Sequence, residues 1–531
     1  MSTLPIAVGT VSWEDRSTNP PGRGNVLIFP NKTVLVGRDE SRNDVAFTTP
    51  PISRCQLEFF STVVDEEYKH PPLIFVRDRG SSNGTCVNGQ LIGIGAKLSP
   101  ARLLESGDII TVGSYSHLTL VYTQLLLVPS TYTLSHLQWQ EVELFKDRFA
   151  MTDRTIGDGA HAVVFLAKDV GSGQHVVCKV HDVGKFAPGS QHLRRIRQEA
   201  NILSTLDHPN ILPMVAAFET QQTIYILTEL ATGGDLYSLI LRYNKLEEWG
   251  IRAVIRQVLR GLAYAHSKGV VHRDIKPENI LCGITPQGPY RIMISDFGDA
   301  AISGRGRMQS TVGTRFYRPP ECSTASQAHD FSVDIWAVGV LAMQLFLGYE
   351  EFPAFESMIF GSQGVIDSYV NLIFTTVSRH KEISEAGKNF IRSCLAYDGQ
   401  KRPTACAAFH HAWLQEPKAD NRRFKMLEAD NLLSWKPQRV KFPVIEDLTA
   451  GPSENGQGGS APAKRWDVGT VSPHFMDQSR GWTKGELGRQ DELELPDILS
   501  RPDLNPDLGL KKRRTVLGGT ENAKRMMVSL F

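Results

Sequence analysis

The stretch His272-Arg273-Asp274-Ile275-Lys276-Pro277-Glu278-Asn279, followed after a short apolar run by Ser295-Asp296-Phe297-Gly298, decides how this chain is read. It holds three groups that phosphoryl transfer from a magnesium nucleotide requires. Asp274 is a carboxylate able to take the proton of an incoming hydroxyl. The amide oxygen of Asn279 and the carboxylate of Asp296 are hard oxygen ligands suited to the ions that neutralise phosphates. Ordinary surface polarity does not place so many matched groups at fixed offsets.

The order H-R-D-x-K-x-x-N, then D-F-G, resembles the signature of the eukaryotic protein kinases. The resemblance implies an α+β bilobal kinase fold over residues 148–414, with ATP and Mg2+ as cofactors. It implies Asp274 as the base, Lys276 as a positive charge beside the transferring phosphate, and Asn279 with Asp296 on the metal. A lysine two residues after the aspartate is similar to serine/threonine kinases, so protein Ser or Thr hydroxyls are the implied substrates.

The surroundings extend the pattern. Thr155-Ile156-Gly157-Asp158-Gly159-Ala160-His161-Ala162-Val163-Val164 reads as a glycine-rich strand, turn and strand. Gly157 and Gly159 let the backbone approach the phosphates, with Asp158 and Ala160 in the same loop. The third glycine of the family pattern is Ala162. Val176-Val177-Cys178-Lys179 stands where the family places its phosphate-bridging lysine, and Val164 closes on the adenine. Leu193 to Leu206 has helical spacing, and Glu199 within it is either the carboxylate that aims Lys179 or a solvated helix charge; the motif order favours the pair. Ile224 to Leu230 reads as a buried strand entering the hinge, where the backbone of Glu229 to Ala231 would read the adenine edge. Asp235 is either a ribose contact or the cap of the next helix.

Between Asp296 and Glu321 lies the activation segment, in which Ser310 and Thr311 are the candidate phosphorylation sites. A charge of about −1.5 to −2 there would pair with Arg273; as plain polar loop residues they would do nothing. Phosphorylation would come from an upstream kinase or from autophosphorylation in trans. Asp334 would hold the backbone of the catalytic loop, and Arg402 would pair with Glu321.

The first quarter reads differently. Short runs rich in Val, Ile, Leu and Phe between Val26 and Val128, punctuated by Gly, Asn and Pro, argue for an all-β sandwich of two sheets. Its loops hold Gly37-Arg38, Ile52-Ser53-Arg54 and Gly80-Ser81-Ser82-Asn83-Gly84-Thr85. Singly, Asn83-Gly84 is an ordinary hairpin turn pair. As an ordered set these residues resemble the forkhead-associated (FHA) domain, a phosphothreonine-binding module. The resemblance implies that Arg38, Ser53 and Arg54 hold the phosphate, and that Ser82 and Asn83 contact phosphate and peptide backbone. Where the family has a loop-supporting His, this chain has Gln56, whose amide can also hydrogen-bond.

The expected organisation is therefore multidomain. An FHA sandwich occupies 1–128, a linker 129–147, a kinase domain 148–414, and a largely disordered tail 415–531, in which 422–435 could form a short helix docking on the kinase. The pairing of FHA and kinase resembles the checkpoint effector kinases of the DNA-damage response. It implies recruitment to phosphothreonine-containing adaptors in checkpoint or cell-cycle signalling. A catalytically weak scaffold is an alternative, although Lys179, Asp274, Asn279 and Asp296 are all present; a meiotic or other signalling kinase is another. No Ser-Gln or Thr-Gln pair precedes Val26, which argues against activation through an amino-terminal cluster.

Composition bounds the rest. The chain has 531 residues, with 58 Lys plus Arg against 57 Asp plus Glu, so no global field draws nucleic acid or membrane. Seven cysteines without a C-x-x-C pair suit reduced thiols, and Met1 to Asp15 lacks the pattern of a signal peptide. A nuclear or cytoplasmic protein is expected, with Lys511-Lys512-Arg513-Arg514 as a candidate import signal.

Overall fold

The computed structural model describes residues 6–448 apart from 31, 64–69, 96–97, 114, 127–131, 159–161, 188, 244–245, 285–289, 303–316, 324–329, 349–360, 379–382, 417 and 436–445. Among the described residues the sandwich has eleven strands: β1 (Gly9–Asp15), β2 (Gly22–Ile28), β3 (Val34–Gly37), β4 (Val45–Ala46), β5 (Leu57–Thr62), β6 (Leu73–Asp78), β7 (Thr85–Val87), β8 (Gln90–Gly93), β9 (Arg102–Leu103), β10 (Ile109–Val112) and β11 (Tyr115–Gln124). They form two sheets, in the orders β2-β1-β11-β10-β7-β8 and β4-β3-β5-β6-β9. Val11, Ile28, Val36, Phe59, Val76, Ile110 and Leu120 fill the space between them, as period-2 alternation on facing sheets requires. The segment before Pro21, upstream of the apolar runs that begin at Val26, supplies β1, which sits between β2 and β11 at full length.

The next segment, 129–147, is not a bare linker. Helix α1 (His136–Val142) starts with a reciprocal cap between Ser135 and Gln138. Leu134, Val142 and Phe145 then pack on the outer face of the following sheet, and the Glu141 carboxylate accepts from Thr220 Oγ1 at 2.6 Å and Tyr225 Oη at 2.8 Å.

That sheet belongs to the small lobe: β12 (Phe149–Asp158), β13 (Val163–Asp169), β14 (His175–Asp182), β15 (Met214–Glu219) and β16 (Thr223–Glu229), with helix α2 (Gln191–Thr205) on its inner side. The large lobe holds α3 (Leu236–Tyr243), α4 (Glu248–Ser267), the hairpin strands β17 (Val270–Val271), β18 (Ile280–Gly283), β19 (Arg291–Ile294) and β20 (Ala301–Ile302), then α5 (Ser332–Leu347), α6 (Gln363–Ser378), α7 (Glu385–Cys394), α8 (Ala405–Phe409) and α9 (Ala412–Gln415). Nearly every residue of α5 is buried, and the helix is apolar all round, as a central helix must be. No helix among the described residues is long and apolar enough to cross a membrane.

The short docking helix expected at 422–435 is present and begins four residues earlier, at Lys418. Helix α10 (Lys418–Ser434) lies along α4, whose Arg252, Arg256 and Arg260 recur every four residues and so share one face. Arg252 meets Asp420 at 2.6 Å, and Arg256 and Arg260 meet Glu428 at 2.7 and 3.1 Å. Phe424, buried, stacks on Trp249. Further on, β21 (Glu446–Asp447) adds to β15 in parallel, and Arg148 pairs with Glu446 at 2.6 Å. Residues 449–531, including the basic cluster at 511–514, lie outside the described residues.

His208, in the turn between α2 and β15, is buried against Tyr264, and its Nδ1 accepts from the Asn210 amide at 3.0 Å. Burial, then the Arg260 and Arg291 charges, push its pKa down to about 3. An unfolded histidine titrates near ~6.5, so below that value the unfolded chain binds the extra proton. Stability is therefore expected to fall as pH drops from ~6.5 toward 3, by up to ~1.4 kcal/mol per pH unit from this one group. Urea unfolding at about pH 7 and about pH 5 should show a shallower decline in His208→Gln than in the natural protein; an equal decline in both would assign the acid sensitivity elsewhere.

Candidate active site and phosphopeptide site

The catalytic loop is held from below by one carboxylate. Asp334, on the first turn of α5, is wholly buried and accepts from the amides of His272 at 2.9 Å and Arg273 at 2.7 Å, and from His266 at 2.8 Å. Burial works against its charge, but these hydrogen bonds outweigh it and keep the carboxyl below the usual range. The two amides can both point at Asp334 because Arg273 takes a left-handed backbone (φ 72°), which a non-glycine residue adopts only when its surroundings enforce it.

So placed, Asp274, Lys276 and Asn279 come together. Asn279 Nδ2 donates to Asp274 Oδ2 at 2.7 Å and to the Asp274 carbonyl at 2.8 Å, and Lys276 Nζ lies 2.8 Å from Asp274 Oδ2. Burial opposes the Lys276 charge, but Asp274 outweighs it and raises the amine above its ordinary value. With Nδ2 committed twice, Asn279 has Oδ1 left to offer, the atom a hard cation accepts. Asp296 is exposed, also left-handed (φ 58°), and held well below the usual carboxylate range by Lys179 first. The donors thus fit Mg2+, which takes a few carboxylate and amide oxygens and completes its shell with phosphate and water. Phe297, next in sequence, is fully buried edge-on to His272, which fixes Asp296 facing outward.

In the small lobe, register sets the nucleotide groups side by side: Gly157 pairs with Val164, and Val164 with Lys179. Lys179 Nζ lies 2.8 Å from Glu199 Oε1, so Glu199 is the lysine's partner and not a solvated charge. Burial opposes the Lys179 charge, but Glu199 and Asp296 outweigh it and raise the amine above its ordinary range. Helix α2 is pinned just before Glu199: Gln198 donates to the Ala300 carbonyl at 2.8 Å, and Arg195 meets Asp299 at 3.4 Å. Arg195 and Gln198 escaped the sequence reading, because only the folded chain brings α2 to residues 299–300.

At the hinge, the Glu229 side chain turns to Arg291 at 3.0 Å, leaving its backbone and that of Ala231 along the cleft. Asp235 accepts from the Ser238 amide at 2.6 Å and so caps α3. Arg402 grips Glu321 through two bonds of 2.6 and 2.8 Å. Gly159 and Ala160, and the candidate phosphorylation sites Ser310 and Thr311, lie outside the described residues.

At the far end of the sandwich, Arg38, Arg54, Ser82 and Asn83 are exposed and Ser53 is half-buried. The Ser82 amide donates to Ser53 Oγ at 2.9 Å, Asn83 Nδ2 to the Pro51 carbonyl at 2.6 Å, and the Arg38 amide to the Ser53 carbonyl at 2.9 Å. The three loops therefore form one surface with two guanidiniums on it, the arrangement a phosphate dianion prefers. Gly37 is required here, since a Cβ would collide with the Arg54 carbonyl. Gln56, where the family has His, is wholly buried and binds the loops together. Its Oε1 accepts from the Ser53 amide at 3.0 Å, and its Nε2 donates to the Gly84 carbonyl at 3.0 Å and Thr85 Oγ1 at 3.2 Å.

Comparison with known proteins agrees with both halves. Residues 151–414 match the protein kinase domain model, and residues 34–113 the FHA domain model. A probable serine/threonine-protein kinase fhkC of Dictyostelium discoideum is 29% identical over 77% of this chain and 64% of its own length. The meiosis-specific serine/threonine-protein kinase mek1 of Schizosaccharomyces pombe is 29% identical over 77% of this chain and 86% of its own. A calcium/calmodulin-dependent protein kinase type 1 of Macrobrachium nipponense is 34% identical over 51% of this chain and 75% of its own. The chain thus spans just under two thirds of the Dictyostelium protein.

Gln56→Leu keeps the volume and removes three hydrogen bonds, leaving the Ser53 and Gly84 loops joined through the exposed Ser82 and Asn83 contacts without their buried link. Phosphothreonine-peptide affinity is expected to fall about tenfold or more, read by fluorescence anisotropy. An unchanged affinity would mean that the loops hold their shape without it.

Proposed function

The chain belongs to the protein kinase family and carries an FHA domain, and from that membership we propose that it is a serine/threonine kinase directed to its targets by phosphothreonine binding. The observation that carries the reading is the contact of Asp274, Lys276 and Asn279 in one loop, facing Lys179 paired with Glu199. Asp274 accepts the hydroxyl proton of a protein Ser or Thr, and Lys276 stabilises charge on the moving phosphoryl group. Lys179 aims the α- and β-phosphates of ATP. Asn279 and Asp296 hold Mg2+, which neutralises the phosphates. With every one of these groups in place, a scaffold that does no chemistry is the weaker reading.

Arg38, Ser53, Arg54, Ser82 and Asn83 bind the phosphothreonine of an adaptor, and phosphorylation at Ser310 or Thr311 orders the activation segment through Arg273. The pairing of domains supports a place in checkpoint or cell-cycle signalling, with nuclear entry through the basic cluster at 511–514. A meiotic role is a second reading, favoured by the name of the Schizosaccharomyces pombe relative, whose similarity spans both domains. A phosphopeptide-array screen separates the two by ligand preference.

Asp274→Ala is expected to abolish transfer to a Ser/Thr peptide while ATP binding persists, measured by radiolabel transfer and nucleotide fluorescence titration. Retained transfer would sink the catalytic assignment. Arg38→Ala is expected to lower phosphothreonine-peptide affinity at least about tenfold, the loss of a charge-assisted hydrogen-bond partner.

A further inference from the structure

The glycine-rich strand and the hinge, which between them shape the nucleotide cleft, are both gripped from outside by the sandwich. At the end of the β5–β6 pair, Thr62 Oγ1 donates to the Thr232 carbonyl, just past the hinge, at 2.6 Å. Across the cleft mouth, His70 is 4% exposed and lies between two residues of β12: Nδ1 is 3.2 Å from Thr155 Oγ1 and Nε2 is 3.1 Å from Asp158 Oδ1. Arg154 Nη2 donates to the Pro71 and Pro72 carbonyls at 3.3 and 2.9 Å. An apolar seam of Phe60 and Leu73 against Ile156 and Leu230 fills the space between these polar contacts.

A carboxylate can only accept, so His70 Nε2 carries the hydrogen toward Asp158, while Nδ1 shares a hydrogen bond with the Thr155 hydroxyl. What it binds is also telling. Asp158 sits between Gly157 and Gly159, in the loop that approaches the triphosphate, where its carboxylate would repel like charge. The His70 bond draws that carboxylate outward, toward the sandwich.

We propose that His70 and Thr62 of the FHA domain are positioning residues of the nucleotide site, holding Asp158 away from the phosphates and setting the glycine-rich strand against the hinge. The inference rests on the kinase reading above. It gives the FHA domain a second task, carried out at the opposite end from its phosphothreonine loops, and makes the kinase domain alone an incomplete ATP site.

The test uses the full chain. In His70→Ala the KM for ATP should rise about fivefold with kcat within about twofold, the sign of lost ground-state binding. A fluorescent ADP analogue titrated without peptide should weaken in parallel. Thr62→Val, which removes only the hydroxyl, should shift both in the same direction, and phosphothreonine-peptide binding by each variant shows the sandwich folded. In an Asp158→Ala background the effect of His70→Ala should disappear. An unchanged nucleotide affinity in folded His70→Ala, or a loss that persists undiminished without Asp158, overturns the proposal. A natural protein that binds the ADP analogue but transfers no phosphate would instead overturn the kinase reading, leaving the nucleotide titrations to decide this one.

Discussion

The buried carboxylate of Asp334 is the constraint on which the reactive centre depends. A charge taken wholly out of water is tolerated only when donors surround it, and here two of the donors are main-chain amides of the catalytic loop. Satisfying Asp334 therefore forces Arg273 into its left-handed conformation and turns Asp274 toward Asn279 and Lys276. The apolar helix α5 supplies the rigid floor. The strain at Arg273 persists because releasing it would strand a buried charge.

The same logic links the lobes. Glu199 is buried and needs Lys179; Lys179 in turn holds Asp296 ionised; residues 299–300 tie the start of the activation segment to α2. Lys179 favours the charged form of both carboxylates and each of them favours that of Lys179, so Lys179, Glu199 and Asp296 form one network rather than separate contacts. Shifting α2 outward would cost the Lys179 pair and the Gln198 and Arg195 anchors together.

Legibility in the sequence followed the range of the contacts. The catalytic and nucleotide residues were readable because their chemistry forces fixed spacings, and the FHA loops because several short motifs recur in order. Gln56 was readable as a departure, but its role needed the fold, which places Gly84 and Thr85 within reach of residue 56. The helix at 136–142 carries a local signal, Ser135 three residues before Gln138, in a polar and aromatic stretch without a strong apolar period. The face formed by Arg252, Arg256 and Arg260 was likewise open to view, yet its acidic partners lie some 170 residues onward in a segment rich in charge. Strand β21 is two acidic residues long and has no local signature; only the unpaired edge of β15 gives it a place.

The geometry of the sandwich explains how one small domain can serve two surfaces. Strands β5 and β6 run antiparallel from Leu57 opposite Asp78 to Thr62 opposite Leu73. The phosphothreonine loops, at 53–54 and 81–83, flank the first end, and the kinase contacts of Thr62 and His70 lie at the second, about 17 Å away at the usual rise per residue. Docking on the kinase therefore leaves Arg38 and Arg54 in solvent, and an adaptor can be bound without releasing the lobe. Because the two strands are paired throughout and buried between the domains, the connection between the ends is stiff. The Ser53 loop thus stands at the base of the same two strands whose tips contact the glycine-rich strand and the segment just past the hinge.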